Sequence, residues 1–240
     1  MTASAIIIIG ILLYVKKRGN ELLEIIDITH PLHSGMIKFN APWHIDTDIQ
    51  PLGTIATAGR NTSVITIGSH AGTHMDAAKH FIEGGESIDQ IPLDKLIGPV
   101  TIIDFSSKGC NSCVTTEDLS RITITKRMLF YFGWDKYWNT NRFYKEYPWF
   151  TEDSAQYLVN HGVCVVGMDT PSPDNSSTIL HSSEDSLVHK TFLSQGITLI
   201  EYLSNLGLAD FSKIWNLFAL PLPIKDCDGS PIRACLISEN

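Results

Sequence analysis

The chain places its β-branched and aromatic residues in short runs, and this restricts its fold more than any other feature. Leu23 to Ile28, Val64 to Ile67, Val100 to Phe105, Met128 to Phe132 and Val163 to Met168 are such runs. Segments of that length suit strands, because a helix needs ten or more residues to bury an apolar stripe. Between them, Thr151-Glu152-Asp153 carries the cap chemistry of a helix start, and Gly162 follows the expected end at His161. Thr116 to Leu119 reads as a shorter helix. Leu199 to Leu206, after Gly196, fits either a strand or a helix. Phe218 to Ile224, then Asp228-Gly229, then Ile232 to Ile237 reads as a closing hairpin. The sum is an α/β domain with a mixed sheet.

At 240 residues, 43% hydrophobic and 18% charged, the chain fits one large domain. Composition breaks near residue 20, so the expected domain runs from 22 to 240 behind an apolar segment, 1–21. Ala3 to Val15 is too short to span a bilayer, for which about 20 apolar residues are needed. Its basic residues, Lys16, Lys17 and Arg18, follow the apolar run rather than preceding it, unlike a secretory signal. Two readings stay open: a hydrophobic N-terminal strand in a cytoplasmic protein, or a shortened leader or anchor in a secreted or membrane-associated one. A net charge of −8 with 18 basic residues argues against a nucleic-acid surface and for a small-molecule substrate. Cys110 and Cys113 form a CxxC within a loop-like stretch, without the second pair a zinc ribbon needs. Cys227 and Cys235 flank the Asp-Gly turn and are placed to face each other across the hairpin. Asn61 and Asn175 head glycosylation triplets that would matter only in a secreted chain.

The densest chemistry lies in Ser69-His70-Ala71-Gly72-Thr73-His74-Met75-Asp76-Ala77-Ala78-Lys79-His80, with three histidines and an aspartate in eleven positions. Imidazole nitrogens with a carboxylate oxygen suit a borderline divalent ion such as Zn2+, and Mn2+ where the set is richer in oxygen. His70, His74 and Asp76 do not share one straight helix face. The expected arrangement is a strand end at Val64 to Ile67, a bend at Gly72 and a helix from about Thr73, with His80 on the same helix face as Asp76. His189 and Glu201, twelve residues apart, are further donors. His30, His33, His44, His161 and His181 have turn, surface or cap explanations.

The pattern from His70 to His80 resembles the signature of the cyclase family of metal-dependent hydrolases, which includes bacterial-type kynurenine formamidases and isatin hydrolases. Leu96 to Val100, Gly133 to Trp138, Gly167 to Ser172, Phe218 to Leu222 and Asp228 to Arg233 are similar to family blocks in the same order. The resemblance covers about residue 24 to the end. It implies a swivelling β/β/α domain, usually a homodimer. It also implies that His70, His74 and Asp76 bind one metal, with Asp76 bridging toward a second held by His189 and Glu201. His80 matches the family's catalytic histidine.

The implied activity is metal-dependent amide hydrolysis, above all an arylformamidase converting N-formylkynurenine to kynurenine and formate in tryptophan catabolism. Opening of a cyclic imide or lactam such as isatin is the alternative, and a non-catalytic metal-stabilised binding protein is a third. Where many formamidases of the family place a tryptophan against the aromatic substrate, this chain has Lys38. Phe39 and Trp43 offer ring faces instead, and Lys38 suits an anionic substrate.

Overall fold

The computed structural model describes residues 4–8, 11–18, 21–177 and 185–239, so His181 lies outside the described residues. In chain order the elements are β1 (Ser4–Ile8), β2 (Ile11–Arg18), β3 (Glu21–Asp27), β4 (Asp48–Gly53), α1 (Ile55–Ala58), β5 (Thr62–Thr66) and β6 (His74–Asp76). There follow α2 (Leu93–Leu96), β7 (Ile97–Asp104), β8 (Cys113–Val114), α3 (Thr116–Ser120), β9 (Arg127–Tyr131), β10 (Trp149–Phe150) and α4 (Glu152–Asn160). The last are β11 (Val165–Met168), α5 (Leu187–Ser194), β12 (Thr198–Glu201), β13 (Trp215–Pro221) and β14 (Gly229–Glu239).

The main sheet runs β1-β2-β3-β14-β13-β7-β9-β11-β12-β6, and β6 also pairs with β14. That second pairing closes seven strands, β14 through β6, into a ring. β7, β9, β11 and β12 are parallel neighbours, while β6, β13 and β14 pair antiparallel, so the sheet is mixed as expected. Such a barrel-like sheet with helices packed outside is the β/β/α arrangement the sequence implied. Among the described residues no helix is long and apolar enough to cross a membrane.

Strand alternation divides the core in two. Leu129, Val165, Ile200, Leu217, Ala234 and Met75 belong to one buried cluster. Their sequence neighbours Met128, Phe130, Val166 and Leu199 belong to a second, which holds Leu158 of α4 and Phe192 and Leu193 of α5. The helix start at Thr151 is as its sequence predicts, its hydroxyl accepting from Ser154 N, and the shorter helix is capped by Thr115, which with Asp118 forms a reciprocal capping box.

Two expectations are corrected, one expected strand takes an outlying place, and one open reading is settled. The segment after Thr73 is a strand, β6, followed by a single 3-10 turn over Ala78–His80. Pairing with β12 on one side and β14 on the other outweighs any helical spacing. Val64 and Ile65 do form a strand, but β5 pairs only with β4 in a two-stranded ribbon whose β5 residues are all exposed, outside the core. Leu199 resolves as strand, with a 3-10 turn at Leu206–Leu208. Cys227 and Cys235 are both free and do not face each other: Cys235 lies opposite Phe218 and Asp27, and Cys227 precedes the strand.

Candidate metal centre

β6 explains the site in three residues. Successive side chains alternate across a strand, so His74 and Asp76 share one face while Met75 enters the core on the other. In the antiparallel register Glu201 lies directly opposite His74, and Gly229 lies opposite Asp76. A cross-strand pair of this kind brings side chains within contact. His74 Nε2 is 3.3 Å from Glu201 Oε2 and 3.4 Å from Asp76 Oδ1. α5 lies over the same face and delivers His189, whose Nε2 is 3.1 Å from Glu201 Oε1 and 3.5 Å from Asp76 Oδ2.

His70 arrives from the loop before β6. Gly72 makes the bend at φ +60°, and a Cβ there would meet Leu32 Cδ2 at 2.6 Å. At Gly229 a Cβ would sit 2.8 Å from His70 Cε1, so the glycine opposite Asp76 leaves the space that imidazole fills. His70 Nδ1 is 2.7 Å from Asp76 Oδ1. Glu201 is followed by Tyr202 at φ 58°, a left-handed backbone that costs a non-glycine residue about 1–2 kcal/mol. Thr73 Oγ1 donates to its carbonyl at 2.6 Å and its own N–H donates to Thr170 O. Those bonds hold the strained turn beside the donors.

Each imidazole is oriented from behind. His74 Nδ1 faces the Gly72 carbonyl at 2.8 Å, His70 Nε2 faces Asp228 Oδ2 at 2.7 Å, and His189 Nδ1 faces Asp174 Oδ2 at 2.5 Å. An acceptor behind the ring fixes the proton there and leaves the other nitrogen's lone pair pointing at the cluster. Asp174 also does the work of a helix cap. Ser186 before α5 makes no side-chain cap bond, and Asp174 accepts from Val188 N and His189 N instead.

The electrostatics follow from the donor set. Burial pulls an imidazole's pKa down, but at His74 the hydrogen bonds and charges of Asp76 and Glu201 outweigh it and raise the value to about 10. His70 and His189 are raised against burial in the same way, by Asp76 with Asp228 and by Asp174 with Asp76 and Glu201. Asp76 is held well below the carboxylate range, because the surrounding imidazoles outweigh its burial. At His44 and His80 burial dominates, with His44 lowered to about 4.

The donors fit a divalent cation. His70, His74 and Asp76 offer three atoms that lie within 4.8 Å of one another, and Asp76, His189 and Glu201 offer a second such group. Asp76 Oδ2 is buried with no hydrogen-bond partner. Such an orphan costs about 1–3 kcal/mol unless something positive meets it. The His74 and His189 Nε2 atoms each lie 3.1–3.5 Å from an Asp76 and a Glu201 oxygen, so imidazole nitrogens and carboxylate oxygens converge as a borderline divalent ion requires.

The donors open into a cavity of about 460 Å³ walled by Phe39, Trp43, Phe81, Ser172, Tyr202 and Asp228, among others. His80 lines it too, stacked on His70 at 3.9 Å between ring centroids. All six expected histidine and carboxylate residues thus meet at one place, and Phe39 and Trp43 reach its wall. Lys38 does not: its Nζ pairs with Asp46 at 3.0 Å and it is absent from that wall, because side chains of adjacent residues diverge. His44, read from the sequence as a turn, surface or cap residue, lines the cavity. A carboxylate fifteen positions before His189 has no local pattern, so Asp174 carries no sequence signal; Asp228 stands out as half of a turn signal and within a family-like block, neither of which ties it to His70 or His80.

A buried His/Asp/Glu set able to hold one or two divalent ions, at the floor of an aromatic-walled cavity with a spare histidine, defines the chain as a metal-dependent hydrolase in architecture. The chain belongs to the Cyclase family, whose model matches residues 26–175. It is 33% identical over 181 residues to the kynurenine formamidase of Geobacillus thermodenitrificans, covering 73% of this chain and 79% of that protein. The kynurenine formamidase of Bacillus cereus strain ATCC 10987 is 29% identical over 221 residues, 89% of this chain and 97% of that one. A solved structure described as a predicted metal-dependent hydrolase from Bacillus stearothermophilus superimposes with a TM-score of 0.73 at 27% identity, covering 90% and 98% of the two chains. Isatin hydrolase A from Labrenzia aggregata shares the fold, with a TM-score of 0.78 at 22% identity over 90% and 93%.

Proposed function

We propose that the protein hydrolyses the amide bond of N-formyl aryl amines, acting as an arylformamidase that converts N-formylkynurenine to kynurenine and formate. One observation carries the reading: four donor residues converge on Asp76, whose Oδ2 has no hydrogen-bond partner, with His80 beside them in the cavity. The kynurenine formamidases to which most of the chain is similar support the substrate. His70, His74 and Asp76 would hold one ion, and Asp76, His189 and Glu201 a second, Zn2+ or Mn2+. Bound there, the ion supplies Lewis acidity, polarising a carbonyl and making water acidic enough to ionise near neutral pH.

The chain's own residues do the rest. His80 has Nδ1 turned to Asp228, which leaves Nε2 to take a proton from the attacking water and pass it to the departing aryl nitrogen. Phe39, Trp43 and Phe81 present ring faces and edges to an aromatic substrate. No lysine or arginine is found among the described wall residues. The amino-acid end of N-formylkynurenine therefore belongs at the mouth, toward solvent. The protein acts as a homodimer in this reading, as the family resemblance implies.

The test is formate release from N-formylkynurenine by the full chain, with metal content measured on the same sample. Turnover abolished by chelation and restored by Zn2+ or Mn2+ is the expected result. Bound metal without turnover of any aryl formamide would overturn the substrate, with isatin as the next compound to assay; absence of bound metal would overturn the centre itself.

A further inference from the structure

We propose that Asp228 is a positioning residue for His80, fixing which of its ring nitrogens is free to move protons; this rests on the hydrolase reading above. One carboxylate oxygen, Asp228 Oδ2, faces two rings: His70 Nε2 at 2.7 Å and His80 Nδ1 at 3.4 Å. The two rings stack with 30° between their planes. Both nitrogens therefore approach the same acceptor from one side.

A carboxylate accepts and cannot donate, so the nitrogen facing it carries the hydrogen. At His80 this places the proton on Nδ1 and the lone pair on Nε2. Without that acceptor a neutral imidazole divides between two tautomers, and the wrong one has no base to offer.

The backbone holds Asp228 in place as firmly as its side chain holds the rings. Its carbonyl accepts from Ala77 N at 3.0 Å, immediately before the 3-10 turn that ends at His80. Ile88 N donates to Cys227 O at 2.9 Å, and Lys79 Nζ donates to Asp226 O at 2.8 Å. The Cys227 thiol donates to Asp228 Oδ1 at 3.4 Å, which keeps the second oxygen turned from the rings. The turn carrying His80 is thus tied to the loop carrying Asp228 at Asp226 and Asp228, and the chain beyond the turn holds Cys227 between them through Ile88. Such lacing preserves a 3.4 Å contact between side chains 148 positions apart in sequence.

A competing role is that Asp228 serves His70 alone, as the outer partner of a metal ligand. The two roles separate in a double-mutant cycle run at saturating metal, with metal content measured for each form. The forms are the parent, Asp228→Asn, His80→Ala and the double variant, assayed for formate release from N-formylkynurenine. The expected result is a kcat lowered ~10–100-fold by Asp228→Asn at nearly constant KM, partial recovery with Asp228→Glu, and no further loss in the His80→Ala background. An equal loss in both backgrounds overturns the proposal.

The second measurement does not depend on turnover. Long-range ¹H–¹⁵N NMR of the parent should show His80 as the Nδ1–H tautomer, and Asp228→Asn should shift it toward Nε2–H. An Nε2–H tautomer in the parent overturns the proposal, even if Asp228→Asn fails to fold. Should the parent release no formate from any aryl formamide, the function reading fails while this tautomer measurement still decides the role of Asp228.

Discussion

Asp174→Ala tests whether the centre is built as described, because that carboxylate serves the fold and the metal at once. Its removal leaves Val188 N and His189 N without acceptors at the start of α5, a lost cap worth about 1 kcal/mol. It also strands the buried Nδ1 of His189, at about 1–3 kcal/mol. Together the variant should be roughly 2–4 kcal/mol less stable in urea unfolding of metal-free protein. Asp174→Asn separates the two roles. Its amide oxygen keeps the Oδ2 place against His189 N and Nδ1, so the helix start loses only the Val188 N bond, but the negative charge that makes His189 a more basic ligand is gone. The amide variant should therefore lose about 1 kcal/mol of stability, yet bind metal ~10–100-fold more weakly. Competition with a chromophoric chelator reads the affinity. Parent-like metal binding in Asp174→Asn, or an Asp174→Ala stability within about 0.5 kcal/mol of the parent, would refute this role for Asp174.

Three further outcomes are expected. Burial lowers His30 from 6.5 to about 4, and its Nε2 is buried without a partner against Trp138. The folded state thus resists a proton that the unfolded chain accepts: the contribution is full above pH 6.5 and is lost as pH falls toward 4, by up to ~3 kcal/mol. His30→Phe, which keeps the stack, should flatten urea stability over that window, and an unchanged acid slope would refute this. Gly229→Ala puts a methyl 2.8 Å from both His70 Cε1 and Met75 O, so metal affinity should fall more than ~10-fold with ~1–3 kcal/mol of destabilisation; parent-like affinity in a chelator titration would show that His70 has room to spare. Formanilide, which lacks the amino-acid tail, should keep a kcat/KM within ~10-fold of N-formylkynurenine, because binding of a solvated group is worth little. A loss beyond ~1000-fold would reveal a tail-binding group.

Local signals proved legible where the physics is local. The cap at Thr151 depends on residues three apart and appears in the structure as the sequence reads, and the short helix read at Thr116 to Leu119 also forms. The donor identities were legible too, since three histidines and an aspartate in eleven positions have few other uses. Their local conformation was not. A spacing of four between His70 and His74 suggests a helix, whereas β6 is held by partners more than 120 residues away at β12 and more than 150 away at β14. Val64 and Ile65 form the strand that their β-branching suggests, but β-branching specifies an extended backbone and not whether another layer covers it, so their exposure was not legible. Lys38 failed by one residue, since neighbouring positions point apart. Asp174 and Asp228 become partners of His189 and His70 only through tertiary packing.

The closure of the ring by so short a strand links the metal centre to the barrel. β6 supplies His74 and Asp76 and is itself clamped only through three residues on each side. Its contacts are among the most distant in the sequence, so they form only after slower loop-closing steps, and its three residues are buried between β12 and β14. When β6 detaches, two ligands leave together and the centre dissolves as a unit. An ion held there by His74 and Asp76 would in turn tie β12 to β14 through β6, so that occupying the centre and keeping the ring closed are one condition.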